Sequence, residues 1–265
     1  MLRTELSVRL GVDKLSFLGV IVALGAITFG YSLEGGIVSA LFSGPALLIV
    51  LGGTIGAVML QSPSSTFLKA LKISYWVFFP PRHDIDGAIE QVKQWSIKAR
   101  QEGYLALEET ALSHPDPYAA KGLSLLVDGV SDKALRDTLE IDLLLERERL
   151  LEASRVYEAF GGYSPTIGIL GAVLGLIQAM SFITEPEKLG AGVATAFIAT
   201  IYGVGLANLL FLPMANKLKQ QVEQKMLYHE LLAEGIMAIS QGDSPVNIEL
   251  RLEAYRIERP TLLPE

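Results

Sequence analysis

Between Gly161 and Ala215 the chain holds two apolar runs, GGYSPTIGILGAVLGLIQAMSFI and LGAGVATAFIATIYGVGLANLLFLPMA. Neither contains a charged side chain, and only the polar turn Thr184-Glu185-Pro186-Glu187-Lys188 separates them. A helix needs about 20 apolar residues to cross the hydrocarbon of a bilayer. Lipid offers no partners to backbone N–H and C=O groups, so only a helix or a closed barrel can span it, and a barrel strand would alternate. These runs do not alternate, and the stretch reads as a transmembrane helical hairpin.

Small residues recur along one face of each run: Ser164, Gly168, Gly171, Gly175 and Ala179 in the first, Gly192, Ala196, Ala199, Gly203 and Ala207 in the second. In lipid such stripes let backbones approach closely. They serve either packing between the two helices or contact with another chain. The polar groups on these runs, Thr166, Gln178, Thr195, Thr200, Tyr202 and Asn208, are all neutral. Pro165 enters the first run and Pro213 leaves the second. Proline frees a backbone carbonyl and bends a helix, so each marks either a helix end or a pivot.

The rest of the 265 residues agrees with a membrane protein: half are hydrophobic, 19% are charged and the mean hydropathy is +0.38. A net charge of −7 argues against nucleic acid as a partner. Cysteine is absent, and His83, His114 and His229 lack ligand spacing, so no metal site is expected. Arg3, Arg9 and Lys14 precede the run Leu15–Leu33, which is longer than the apolar core of a secretory signal and reads as a retained first span. After Glu34-Gly35-Gly36, a second span covers Ile37–Leu60 with a tight connection.

Basic residues fix the expected orientation. Lys69, Lys72 and Arg82 follow the second span, Arg147, Arg149 and Arg155 precede the third, and Lys217, Lys219 and Lys225 follow the fourth. Only Lys188 lies on the other side, so both termini and the middle segment are expected in the cytoplasm. The chain then divides into an N-terminal segment 1–14, spans 1 and 2 in 15–60, a cytoplasmic helical domain 61–158, spans 3 and 4 in 159–215, and a C-terminal helix and tail 216–265. The expected fold class is all-α: an integral membrane protein with four transmembrane helices and a helical cytoplasmic domain.

Within the middle segment Ile85, Ala88, Ile89, Val92, Trp95 and Ala99 predict an amphipathic helix that Gly103 stops. His114-Pro115-Asp116-Pro117 breaks the chain, and Ser131-Asp132 opens a helix that nothing interrupts from Lys133 to Phe160, about 40 Å at ~1.5 Å per residue. The run Glu146-Arg147-Glu148-Arg149 reads as a solvated face with neighbouring ion pairs. A helix is expected from Asn216 to Gln241 and a looser end beyond Gly242, where Pro245, Pro260 and Pro264 fall. Phosphate-binding loops, nucleophile motifs and zinc-protease motifs are missing, so the chain does not read as an enzyme.

The runs GGYSPTIGILGAVLGL and ATIYGVGLANLLFLP resemble the third and fourth membrane helices of the MotA/PomA family, the larger subunit of the ion-driven bacterial flagellar stator. The resemblance extends through FFPPR at 78–82 and ARQEGYLALEE at 99–109. It implies a homopentamer around a MotB-type single-span, peptidoglycan-binding partner, set in the lipid of the bacterial inner membrane and pushing on the rotor protein FliG. It assigns Ala172, Thr195, Ala199 and Thr200 to the ion pathway, Pro165 and Pro213 to conformational coupling, and Arg100 and Glu108 to the rotor contact. No cofactor is implied. The transported ion is expected to be H+ rather than Na+, because sodium-driven relatives carry threonine where this chain has Ala172 and a Thr-Thr pair where it has Ala199-Thr200. No span contains Asp, Glu, Lys, Arg or His, so the carboxylate on which an ion rests must come from the partner, whose helix is expected against Gly171/Gly175 and Ala199/Gly203. Two alternatives stay open: an ExbB/TolQ-like energy-transducing subunit, a group with three spans rather than four, and a non-conducting membrane scaffold.

Overall fold

The computed structural model describes residues 11–257, and among them every regular element is helical. The basic start at Arg3 and Arg9, and Pro260 and Pro264, lie outside the described residues. In chain order the helices are α1 (Lys14–Leu33), α2 (Gly44–Gln61), α3 (Ser64–Ile73), α4 (Ile85–Glu102), α5 (Glu108–Ser113), α6 (Pro117–Val127), α7 (Asp132–Met180), α8 (Pro186–Leu206), α9 (Leu212–Ser240), α10 (Pro245–Leu252) and α11 (Ala254–Ile257). They form two compact units, one from residues 11–80 and 150–220 and the other from 81–149 and 221–257.

The first unit is apolar. Four helical stretches, Lys14–Leu33, Val38–Gln61, Asp132–Met180 and Pro186–Ser240, are long and apolar enough to cross a membrane. Asp13 caps α1 by accepting from Leu15 N at 3.0 Å, and no residue of α1 is buried. The connection to α2 is longer than expected. Gly35 takes φ +81°, a 3₁₀ turn spans Val38–Leu41, and the second helix starts at Gly44 with Ser43 as cap and Pro45 in its first turn. Gly44-Pro45 therefore opens the helix, because proline is tolerated where the N–H has no partner anyway. After Pro63 the amphipathic α3 turns Ala70 and Ile73 inward, where Ala70 O accepts from the Tyr157 hydroxyl at 3.4 Å.

The second unit has a soluble-type core. The apolar face expected of α4 is buried as a set, with Leu123, Leu135, Leu139, Leu231, Leu232, Ile236, Ile248 and Leu252 around it. Gly103 ends α4 at φ +83°. The C-terminal segment belongs to this core and is not loose after Gly242: Ser244 caps α10, Pro245 sits in its first turn, and Ile248 and Leu252 are fully buried. The helix expected over Lys133–Phe160 is part of the 49-residue α7. Glu146 and Arg147 do not pair along their own face. Glu146 meets Lys225 at 2.6 Å and Arg147 meets Glu223 at 2.6 Å, which ties α7 to α9.

Candidate functional site: a glycine-zipped membrane hairpin

α7 and α8 run antiparallel and interlock through their small residues. A Cβ added at Gly168 would lie 2.9 Å from Ala199 O, one at Gly203 would lie 2.6 Å from Ser164 O, and one at Gly175 would lie 3.1 Å from Ala196 Cα. Further along, a Cβ at Gly192 would meet Ala179 Cα at 2.9 Å. Backbones this close leave room for hydrogen alone, and the Ser164 hydroxyl uses the approach to donate to Gly203 O at 2.8 Å. The stripes therefore serve the hairpin itself.

This corrects the expectation that a partner helix lies on Gly171/Gly175 and Ala199/Gly203. Gly171 faces Ala199 Cβ and Ile49 Cγ2, Gly175 faces Ala196, and Gly203 faces Ser164 and Gly168. Ala46 and Val50 of α2 close over Ile198 and Ala199.

Of the expected pathway residues, Ala199 is fully buried, whereas Ala172, Thr195 and Thr200 are half-buried. The threonine hydroxyls donate to their own helix, Thr195 to Ala191 O at 3.0 Å and Thr200 to Ala196 O at 3.4 Å. That leaves their oxygens as acceptors, the chemistry a hydrated proton or a cation can use. Two polar groups were not legible as structural beforehand. Tyr202 donates its hydroxyl to Leu41 O at 2.6 Å and accepts from Ser43 N at 3.1 Å, pinning α8 to the start of α2. Thr54 of α2 is fully buried and its hydroxyl has no partner among the described residues.

Neither proline is a helix end. Pro165 lies inside α7. Pro213 lies inside one helical stretch, Pro186–Ser240, that widens to a π turn at Ala207–Phe211, where Leu212 N bonds Ala207 O. A proline at 213 cannot bond to the carbonyl of residue 209 and its ring would strike it, and a π turn just before it relieves that clash. The two proline regions also touch: a Cβ at Gly161, four residues before Pro165, would meet Leu212 Cδ2 at 2.5 Å, and Phe160 stacks on Phe211 with ring centroids 5.0 Å apart.

In the second unit Arg100 lies in the last turn of α4 and Glu108 starts α5, with Gly103 between them, and both side chains are exposed. Leu105 and Leu112 nearby are 70% and 80% exposed, so the charges stand beside apolar surface. The histidines, far apart in sequence, partly converge. His229 is buried with Nε2 3.2 Å from Asp116 Oδ2 and Nδ1 3.3 Å from Glu146 Oε2. Tyr118 stacks on its ring at 4.6 Å, and His83 packs on neighbouring Tyr228 at 4.9 Å. Among the described residues no group of His, Asp and Glu has the arrangement of a metal site.

Four helical stretches long and apolar enough to cross a membrane, two of them zipped together by glycine, define a polytopic helical membrane protein. Residues 110–231 match the model of the MotA/TolQ/ExbB proton channel family, and residues 17–90 match that of the motility protein A N-terminal region. Motility protein A of Bacillus subtilis (strain 168) is 35% identical over 92% of this chain and 91% of its own length. Among solved structures, C. jejuni MotAB superposes with a TM-score of 0.87 at 28% identity, over 96% of this chain and 99% of that one. The flagellar MotAB stator complex from Bacillus subtilis gives 0.80 at 33% identity, over 95% and 96%. The chain belongs to the motility protein A family of ion-channel subunits, and it is not an enzyme.

Proposed function

We infer that this chain is a flagellar motor stator subunit that couples ion flow across the bacterial inner membrane to torque on the rotor, in complex with a MotB-type single-span partner. The observation that carries this reading is the lack of Asp, Glu, Lys, Arg or His in the apolar runs of all four spans. An ion crossing a low-dielectric region needs a titratable or anionic group, so a helix supplying a carboxylate has to join the channel. The four membrane-capable helices and the match at 17–90 favour this reading over the three-span ExbB/TolQ group.

The hairpin interlock occupies the glycine stripes, so the partner helix lies beside them, where half-buried Ala172 flanks the buried face of α7 and half-buried Thr195 and Thr200 flank that of α8. A proton is the ion: a hydronium can relay between a partner carboxylate and hydroxyl acceptors, while Ala172 and Ala199 offer no oxygen ligand to sodium. The wholly unburied α1 supplies surface for lipid and for neighbouring copies in a pentamer. The distribution of basic residues supports cytoplasmic termini and a cytoplasmic second unit, where Arg100 and Glu108 meet opposite charges on FliG. Pro165 and Pro213 transmit the ion-driven change. Expression in a non-motile host lacking its own stator tests the reading: swimming should return only when a MotB-type partner is co-expressed and should stop with a protonophore. Rotation without a partner would refute it.

A further inference from the structure

We propose that His229 is a proton-responsive clasp in the aqueous unit, holding the start of α6 against α7 and α9 tightly while it is protonated and more weakly when it is not. The geometry carries the argument. A neutral imidazole has one N–H and one lone pair, whereas an imidazolium has two donors. His229 is 2% exposed, and each of its ring nitrogens faces a carboxylate oxygen: Nε2 faces Asp116 Oδ2 at 3.2 Å and Nδ1 faces Glu146 Oε2 at 3.3 Å. The Nδ1 contact is an ion pair without hydrogen-bond alignment, so Glu146 acts there as a counter-charge. In the neutral form the ring keeps one N–H and turns its lone pair toward the other carboxylate, so the cluster loses its central charge and one of the two attractions.

Every element around the ring contributes charged or titratable groups. α6 brings Asp116 and Tyr118, and α7 brings Glu146 and, near Tyr118, Asp142. α9 brings Lys225, Tyr228 and Glu230, and the segment before α4 brings His83 and Asp84. Burial alone would lower the His229 pKa, but the contacts with Asp116 and Glu146 outweigh it and hold the group above the ordinary imidazole value. Burial and the nearby His229 charge push His83 down to about 4, so the pair does not charge together near neutrality. Because the folded pKa of His229 is raised, the clasp is complete below the unfolded value and is lost as pH rises through the folded one. Asp116 is also the N-cap of α6, accepting from Tyr118 N at 2.8 Å and Ala119 N at 3.4 Å. Deprotonation of His229 therefore loosens the corner between α5 and α6. If Glu108 meets the rotor as inferred above, alkaline cytoplasm loosens the helix pair that presents it.

The experiment uses the full chain with its partner in lipid nanodiscs, ¹³C-labelled at histidine, with each of the three histidines assigned by substitution. His229 should titrate above the ordinary imidazole range. Amide exchange at 116–122, corrected for its intrinsic pH dependence, should rise through the same midpoint. Asp116→Asn keeps a capping side chain but removes one counter-charge, and it should lower the midpoint by about one pH unit. Glu146→Gln provides the same shift should the first variant fail to fold. A His229 midpoint at or below the ordinary value, or one unmoved by both substitutions, overturns the clasp. Cells carrying Asp116→Asn that swim normally at all pH values, although the midpoint has moved, would count against the link to the rotor contact alone.

Discussion

Ser164 of α7 donates its hydroxyl to the carbonyl of Gly203 on α8, 2.8 Å away and wholly buried. The bond exists because a hydrogen stands where Gly203 would otherwise carry a Cβ, 2.6 Å from Ser164 O. Two substitutions separate the effects. Ser164→Ala removes one interhelical bond and should cost about 1 kcal/mol, leaving a functional hairpin. Gly203→Val forces the helices apart and should abolish rotation with a clear loss of thermal stability in detergent. Equal stability of Gly203→Val and the parent chain would contradict the interlock.

Pro213 follows the π turn at Ala207–Phe211 inside a continuous helical stretch. Pro213→Ala restores a backbone N–H, so the widened turn can relax to a regular helix. Torque should fall steeply while membrane assembly with the partner stays near normal. Disappearance of the protein from the membrane would show that the proline serves packing instead.

Sodium withdrawal at constant pH should leave rotation unchanged. The threonine hydroxyls at 195 and 200 already donate to their own helix, and two positions of the proposed pathway are alanines. Tethered-cell rotation in sodium-free medium checks this, and a motor that stops there would overturn the assignment of the proton.

Charge reversal should act on the rotor contact. Arg100 and Glu108 are exposed on either side of Gly103, and single exposed pairs contribute only about 0–1 kcal/mol. Neutralising either should therefore slow swimming, and Arg100→Glu or Glu108→Lys should slow it more by adding repulsion. Recovery with reversed rotor charges would establish the contact. Normal swimming of both reversals, with the protein present in the membrane, would remove it.

The aqueous unit should unfold in acid through two carboxylates. Burial opposes the charged forms of Asp116 and Glu146, but their contacts with His229, with Lys225 beside Glu146, prevail and bring each down to about 2. Their folded values are depressed, so the stability they contribute is present above the unfolded values, near 4, and is lost as pH falls from about 4 toward 2. Circular dichroism against pH should show a transition in that window. Asp116→Asn should reduce its amplitude, and an unchanged transition would argue against the pairing.

The four apolar stretches, the amphipathic α4, its stop at Gly103 and the uninterrupted α7 were legible in the sequence because each rests on local signals: apolar length, helical period and glycine. Three features were not. The stripes show small residues but not their partner, so Gly171 and Ala199 could have met each other or another chain. Pro213 looks like a helix end because a π turn leaves no mark in residue types. The His229 cluster joins positions 116, 146 and 229, and nothing in local periodicity links residues that far apart.

The most direct measurement of the central claim is proton flux into liposomes under an imposed potential. The chain alone should hold the gradient because its apolar runs contain no Asp, Glu, Lys, Arg or His. Co-reconstitution with a single-span partner bearing a membrane aspartate should open a flux that an Asp→Asn change in the partner removes. Rapid proton leak through the chain alone would contradict the account.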